Sequence, residues 1–75
     1  MPETCRRVLR VRKEDSAFVY FILESHEGVT SYSTLPFEKG QAYRDLELIY
    51  TKEWTEEVDQ ILEDLGDKIY EVEPT

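Results

Sequence analysis

The sequence predicts an α+β domain, and three observations predict it. Apolar residues alternate with a period of two at both the N-terminal end and the middle of the chain. Each alternating stretch is followed by a capping residue and a helix-length segment that closes on glycine. A Gly-containing turn, Phe37 to Gln41, separates two strand-like stretches in the centre. Period-two patterning marks half-buried strands, and a 3.6-residue stripe between a cap and a glycine marks a helix.

The first strand is expected from Cys5 to Lys13. Leu9 and Val11 point to one side and Arg6, Arg10 and Arg12 to the other, with Val8 breaking the polar side. Asp15 or Ser16 is expected to cap a helix running to about Glu27, with Gly28 as its left-handed stop. The interior of this segment, AFVYFIL, is apolar throughout. Such a run fits a buried strand as well as a helix, and the cap, the stop and the length favour the helix. Val29 to Leu35 reads as a modest edge strand ended by Pro36. Gly40 is free to take the positive φ that a turn needs.

The strand from Tyr43 to Lys52 is clearer. Leu46, Leu48 and Tyr50 share one face, and Asp45, Glu47 and Thr51 share the other with Ile49. Thr55 is a good N-cap, and Glu56 and Glu57 suit the positive end of the helix dipole. Val58, Ile61, Leu62 and Leu65 form an amphipathic stripe that Gly66 closes. Ile69 to Glu73 is a last short strand. The order β-α-β-β-α-β is the split βαβ, or ferredoxin-like, arrangement: a four-stranded antiparallel sheet with two helices on one face. The expected core is Leu9, Val11, Phe18, Phe21, Ile22, Leu46, Leu48, Val58, Ile61, Leu62 and Leu65. Residues 1–75 are read as one such domain, with no linker and no internal repeat.

Length and charge bound the function. A chain of 75 residues buries only about 60–65% of its unfolded surface and has little stability to spare. One cysteine, Cys5, rules out an intrachain disulfide, and one histidine, His26, without a Cys/His cluster gives no zinc pattern. Association with another subunit is the remaining source of support. The net charge is −8, with five bases and one acid in residues 1–13, and nine acids and one base in residues 53–75. That balance disfavours nucleic acid, which repels an acidic surface. No apolar run approaches a membrane span, and the N-terminus lacks the apolar region of a signal peptide. A cytoplasmic location with a reduced thiol is expected.

No site motif stands out. There is no GxGxxG, P-loop, CxxC or HExxH pattern. Cys5 has no recognisable base beside it, and His26 and Glu27 are neighbours that do not face each other on a helix. The expectation is therefore no catalytic residue, no cofactor and no metal. Two surfaces remain. Val19, Tyr20 and Leu23 lie off the expected core stripe of the first helix and are the candidate partner surface. Arg10, Arg12, Glu47, Glu71 and Glu73 are expected on the open sheet face, where a ladder of cross-strand ion pairs is preferred over an anion site. Of the five tyrosines, Tyr32 is the candidate for exposure, whereas Tyr50 and Tyr70 are expected at the core or its rim. The acidic side of the second helix reads as a solvated face.

The segments RVLRVRKEDSAFVYFILESHEGVTSYSTL and EEVDQILEDLGDKI resemble a family of small uncharacterised bacterial proteins, in which a strand leads into an apolar helix ending like Glu24 to Gly28 here. The resemblance implies the same α+β fold and no activity. More distantly, the order resembles ACT-type amino-acid-binding domains, although the loop Lys13–Glu14–Asp15 has no glycine of the kind those use to admit a ligand. The leading functional reading is a non-enzymatic interaction or regulatory module that forms a homodimer or binds a protein partner. The alternative is an ACT-like sensor of an amino acid or metabolite.

Overall fold

The computed structural model describes residues 3–72. Their order is β1 (Thr4–Arg12), α1 (Ser16–Glu24), β2 (Ser31–Thr34), β3 (Tyr43–Thr51), α2 (Thr55–Leu65) and β4 (Ile69–Val72). The strands form one sheet in the order β2-β3-β1-β4, with every neighbouring pair antiparallel. This is the split βαβ arrangement predicted from the sequence.

The β1–β3 pair is the spine. All nine residues of β1 are in register with all nine of β3, from Thr4 opposite Thr51 to Arg12 opposite Tyr43. Opposed residues of an antiparallel pair share a face. Leu9 therefore lies beside Leu46 and Leu48 on the helical side, all fully buried. Arg6, Val8, Arg10 and Arg12 of β1 face the other way, together with Tyr43, Asp45, Glu47 and Ile49 of β3. Val8 is only 5% exposed even though it lies on the open side. It sits between Glu47 on β3 and Val72 on β4.

Both strand-to-helix junctions are built alike, a repetition that the sequence reading missed. Lys13–Asp15 and Lys52–Trp54 are single 3₁₀ turns, within the related strings KEDS and KEWT. The backbone N–H of Lys13 donates to Ala42 O at 2.9 Å, and that of Lys52 to Glu3 O at 2.9 Å, so each turn begins on a rung of the sheet. Ser16 Oγ donates to Lys13 O at 2.7 Å and Thr55 Oγ to Lys52 O at 2.6 Å. The expected side-chain caps are thus replaced. These hydroxyls bond backward to a carbonyl instead of accepting from a helical N–H, because the 3₁₀ turn has already begun the helical path.

The rotation of α1 is the main correction. Phe18 and Phe21, expected in the core, are 47% and 67% exposed. Val19 and Leu23, expected on the outer surface, are completely buried. A seven-residue apolar run is compatible with any rotation of the helix, so neighbouring elements decide it. Tyr20 fixes the observed one: its ring stacks on Tyr32 of β2 at a centroid distance of 5.6 Å, and its hydroxyl shares a 2.7 Å hydrogen bond with Thr34. That turns Val19 and Leu23 onto the sheet. Ile22 and Leu62 lie at the rim of the core, which also contains Tyr50.

Helix α1 stops at Glu24, three residues before the expected end, with Ser25 Oγ donating to Phe21 O at 2.9 Å. Gly28 does not take a positive φ, and β2 is correspondingly shorter than expected, although it occupies the predicted edge. Gly66 does end α2 with φ +58°, and Gly40 has φ +88° in the central turn. At the helical interface, Val58, Ile61 and Leu65 of α2 join the same core as Val19 and Leu23 of α1.

Burying a leucine side chain contributes about 1.5–3 kcal/mol, and truncating one adds a cavity cost. Leu23→Ala should therefore lower the unfolding free energy by about 2–4 kcal/mol in urea denaturation. Phe21→Ala should change it by no more than about 0.5 kcal/mol. The opposite ranking would restore the helix rotation read from the sequence.

Candidate functional site

Two helices cover one side of the sheet, so the other side is the broadest surface on which strands present side chains in a fixed pattern. Four of its charged groups, Arg6, Arg10, Asp45 and Glu47, are paired. Arg10 makes a two-pronged contact with Asp45, its cross-strand partner, with Nε to Oδ1 at 2.8 Å and Nη2 to Oδ2 at 3.0 Å. The guanidinium also lies 4.0 Å from the ring centroid of Tyr43. The hydrogen bond to Asp45 raises the Arg10 pKa, with partial burial opposing it. Arg6 pairs diagonally with Glu47. Carboxylate, arginine and aromatic ring thus hold one another in place on the pleated surface.

The predicted ladder survives only in outline. Arg10 and Glu47 are on the open face as expected, but their partners are Asp45 and Arg6. Glu71 stands opposite Leu9 and so belongs to the helical side. There it binds Arg7 Nε at 2.9 Å, while Arg7 also bonds Asp59 of α2. Burial works against the Arg7 charge, but the bonds to these two carboxylates raise its pKa overall. Arg7 therefore links the sheet to α2, a role that the strand pattern did not signal. Arg12 is on the open face and has no carboxylate within 4 Å among the described residues. Glu73 lies outside the described residues.

Apolar groups lie among these charges. Ile49 is 37% exposed and Tyr70, paired with Arg10, is 60% exposed. Tyr70 was expected at the core; its register with Arg10 puts it on the open face instead. Tyr32 is the reverse case, half-buried against Tyr20 on the helical side, with its hydroxyl donating to Glu24 Oε1 at 2.7 Å.

One end of the open face carries a shallow depression of about 420 Å³, lined by Pro36, Phe37, Glu38, Gln41, Tyr43 and Asp45. The β2–β3 loop forms its outer wall. Gln41 N–H donates to Glu38 O at 3.1 Å across a turn with Gly40 at its third position, the geometry of a type II turn. Arg44 braces the same loop. Its Nη1 donates to the carbonyls of Gln41 and Tyr43, both at 2.8 Å, and its guanidinium lies 3.7 Å from the Phe37 ring centroid.

Cys5 is half-buried against the core, and His26 is exposed in the turn after α1. Among the described residues, no three His, Cys, Asp or Glu side chains converge as a metal set, and no helix is long and apolar enough to cross a membrane.

A family model described as a domain of unknown function, DUF4911, matches residues 9–69. The chain belongs to this family. The DUF4911 match begins at Leu9 in β1 and ends at Ile69, the first residue of β4. It therefore includes both helices, the loop with the depression and the whole of β3. No curated protein and no solved structure matches the chain.

Tyr32 offers a test of this geometry. Its hydrogen bond to Glu24 and its partial burial push its pKa up to about 12 from 10. An acid whose folded pKa is raised contributes stability below its unfolded pKa and loses it above, as the unfolded chain releases the proton first. Stability should therefore fall as pH rises from about 10 to about 12. Glu24→Gln should bring the tyrosine absorbance transition of Tyr32 back toward 10, and Tyr32→Phe should flatten the stability loss in that window.

Proposed function

We propose that this chain is a non-enzymatic interaction module that works by self-association. The observation that carries the reading is the number of large apolar side chains left on the surface of so small a fold. Phe18 and Phe21 project from α1, while Ile49 and Tyr70 project from the opposite side of the sheet. Apolar side chains of this size, left exposed on both sides of the fold, are groups that a partner can cover. The charged groups support the same reading. Arg6, Arg7 and Arg10 are each held by carboxylates of the same chain, so they order the surface rather than stand ready to act on a substrate. The surface is moved from where the sequence put it, because Val19 and Leu23 are interior.

A second reading, an ACT-like sensor of a small metabolite, is supported by the depression beside Phe37, Tyr43 and Asp45. It places a ligand against the β2–β3 loop rather than the loop after the first strand. On this reading, titration with amino acids and related metabolites should shift the amide resonances of residues 36–45. A screen leaving those resonances unmoved removes it.

For the leading reading, sedimentation across the micromolar range should give a mass above the 8.9 kDa of one chain. The mass should rise with concentration. A constant monomer mass throughout that range removes the self-association reading.

A further inference from the structure

We infer that the helical layer binds a basic amphipathic helix of another protein, laid over Phe18 and Phe21 of α1 with its cations against Glu57 and Asp64 of α2. The inference goes beyond the self-association reading and adds a partner of different chemistry.

Contacts on the outer flanks of the two helices fix what lies between them. Tyr20 turns one flank of α1 toward β2. Arg7, which also binds Glu71 of β4, holds Asp59 on the far flank of α2. At about 100° per residue, Phe18 and Ile22 stand roughly 160° round α1 from Tyr20, and Glu57 and Asp64 roughly 140–160° round α2 from Asp59. Both pairs therefore border the seam between the helices. Lys68, just after α2, marks one end of that seam: its Nζ lies 5.6 Å from the Phe18 ring centroid and 3.8 Å from Asp15 Oδ1.

Apolar and acidic groups along this seam are left unmatched. Phe18 and Phe21, one turn apart, are 47% and 67% exposed, and Ile22 is half-buried beside them. Side chains at this spacing are how one helix anchors another laid along it. Among the described residues, no cation covers the Phe21 ring. Neither Glu57 nor Asp64 has a base within 4 Å among the described residues, and Asp64 accepts from Gln60 Nε2 at 3.0 Å.

Charge selects the occupant. Helix α2 carries Glu56, Glu57, Asp59, Glu63 and Asp64 and no base, in a chain of net charge −8. Anionic lipid and nucleic acid are repelled by such a surface. A second copy of this chain brings the same acids if it docks by its helices, and its Arg6 and Arg10 are already held by its own carboxylates. A helix with an apolar stripe and lysines or arginines along one flank meets both needs. Its stripe covers Phe18 and Phe21 while its cations reach Glu57 and Asp64. Lys68 on the Phe18 ring is the intramolecular form of the same contact.

The probe is a leucine–lysine peptide about four turns long, patterned as an amphipathic helix. It is titrated into the isotope-labelled full chain and followed by amide resonances, beside a scrambled peptide of the same composition and a leucine–glutamate peptide of the same pattern. The expected result is saturable binding, with shifts confined to residues 17–25 and 57–68. The dissociation constant should rise about tenfold in Phe21→Ser. It should also rise in the double variant Glu57→Gln, Asp64→Asn and on adding salt, and stay unchanged in Tyr70→Ser. Phe21, Glu57 and Asp64 are all exposed, and circular dichroism checks that each variant folds. Equal binding of the scrambled or leucine–glutamate peptide overturns the inference, as do shifts centred on the open face. An affinity unmoved by both F21S and the double variant overturns it as well. Sedimentation separates it from the self-association reading. A monomeric chain that takes the peptide supports this inference and removes the other; a dimeric chain that ignores the peptide does the reverse.

Discussion

The antiparallel register of β1 on β3 is the constraint on which the rest of this structure depends. It aligns nine residues with nine and so decides, for most of the sheet at once, which side chains enter the core. A slip of one residue would exchange the two faces of a strand. Leu46 and Leu48 would then turn outward and Asp45 and Glu47 inward, leaving carboxylates against the helices. The leucines on one side and the ion pairs on the other thus enforce the same alignment. Arg10 adds to it by gripping the carboxylate directly opposite with both arms of its guanidinium.

What the sequence disclosed follows from this strict parity. The strands β1 and β3 alternate, so the facing of Leu9, Val11, Arg10, Leu46, Leu48 and Glu47 was readable residue by residue. Helix α2 has polar and apolar sides, and its buried Val58, Ile61 and Leu65 were readable for the same reason. Gly66 was readable because a positive φ is where glycine has an advantage over every other residue.

What stayed hidden involves choices that local pattern leaves degenerate. Helix α1 is apolar on most of its circumference, so its rotation is fixed by Tyr20 reaching β2, a contact between elements separated by a turn. The outward turn of Phe18 and Phe21 follows from that contact. Glu71 was assigned to the wrong side because facing in a four-residue edge strand depends on its register with β1, and β4 carries too few residues to declare it. The candidate surface moved with these two errors. Its arginines were identified correctly as open-face groups, but their carboxylates and the aromatic Tyr70 came into place only with the strand pairing.

The two matching strand-to-helix junctions divide the chain into halves of the same design, β1-α1-β2 and β3-α2-β4. Across the sheet the strands alternate strictly between these halves, in the order β2-β3-β1-β4. No strand therefore has a neighbour from its own half. Neither half can satisfy its backbone groups by itself, and a partly formed sheet made from one half has no hydrogen-bonded rungs at all. The loop at residues 35–42 is then the tether between two interleaved combs. Cutting it would leave the native pairing intact in principle, since the rungs run between the pieces rather than within them. Lengthening or stiffening it would instead govern whether a comb closes on its own partner or on that of another chain.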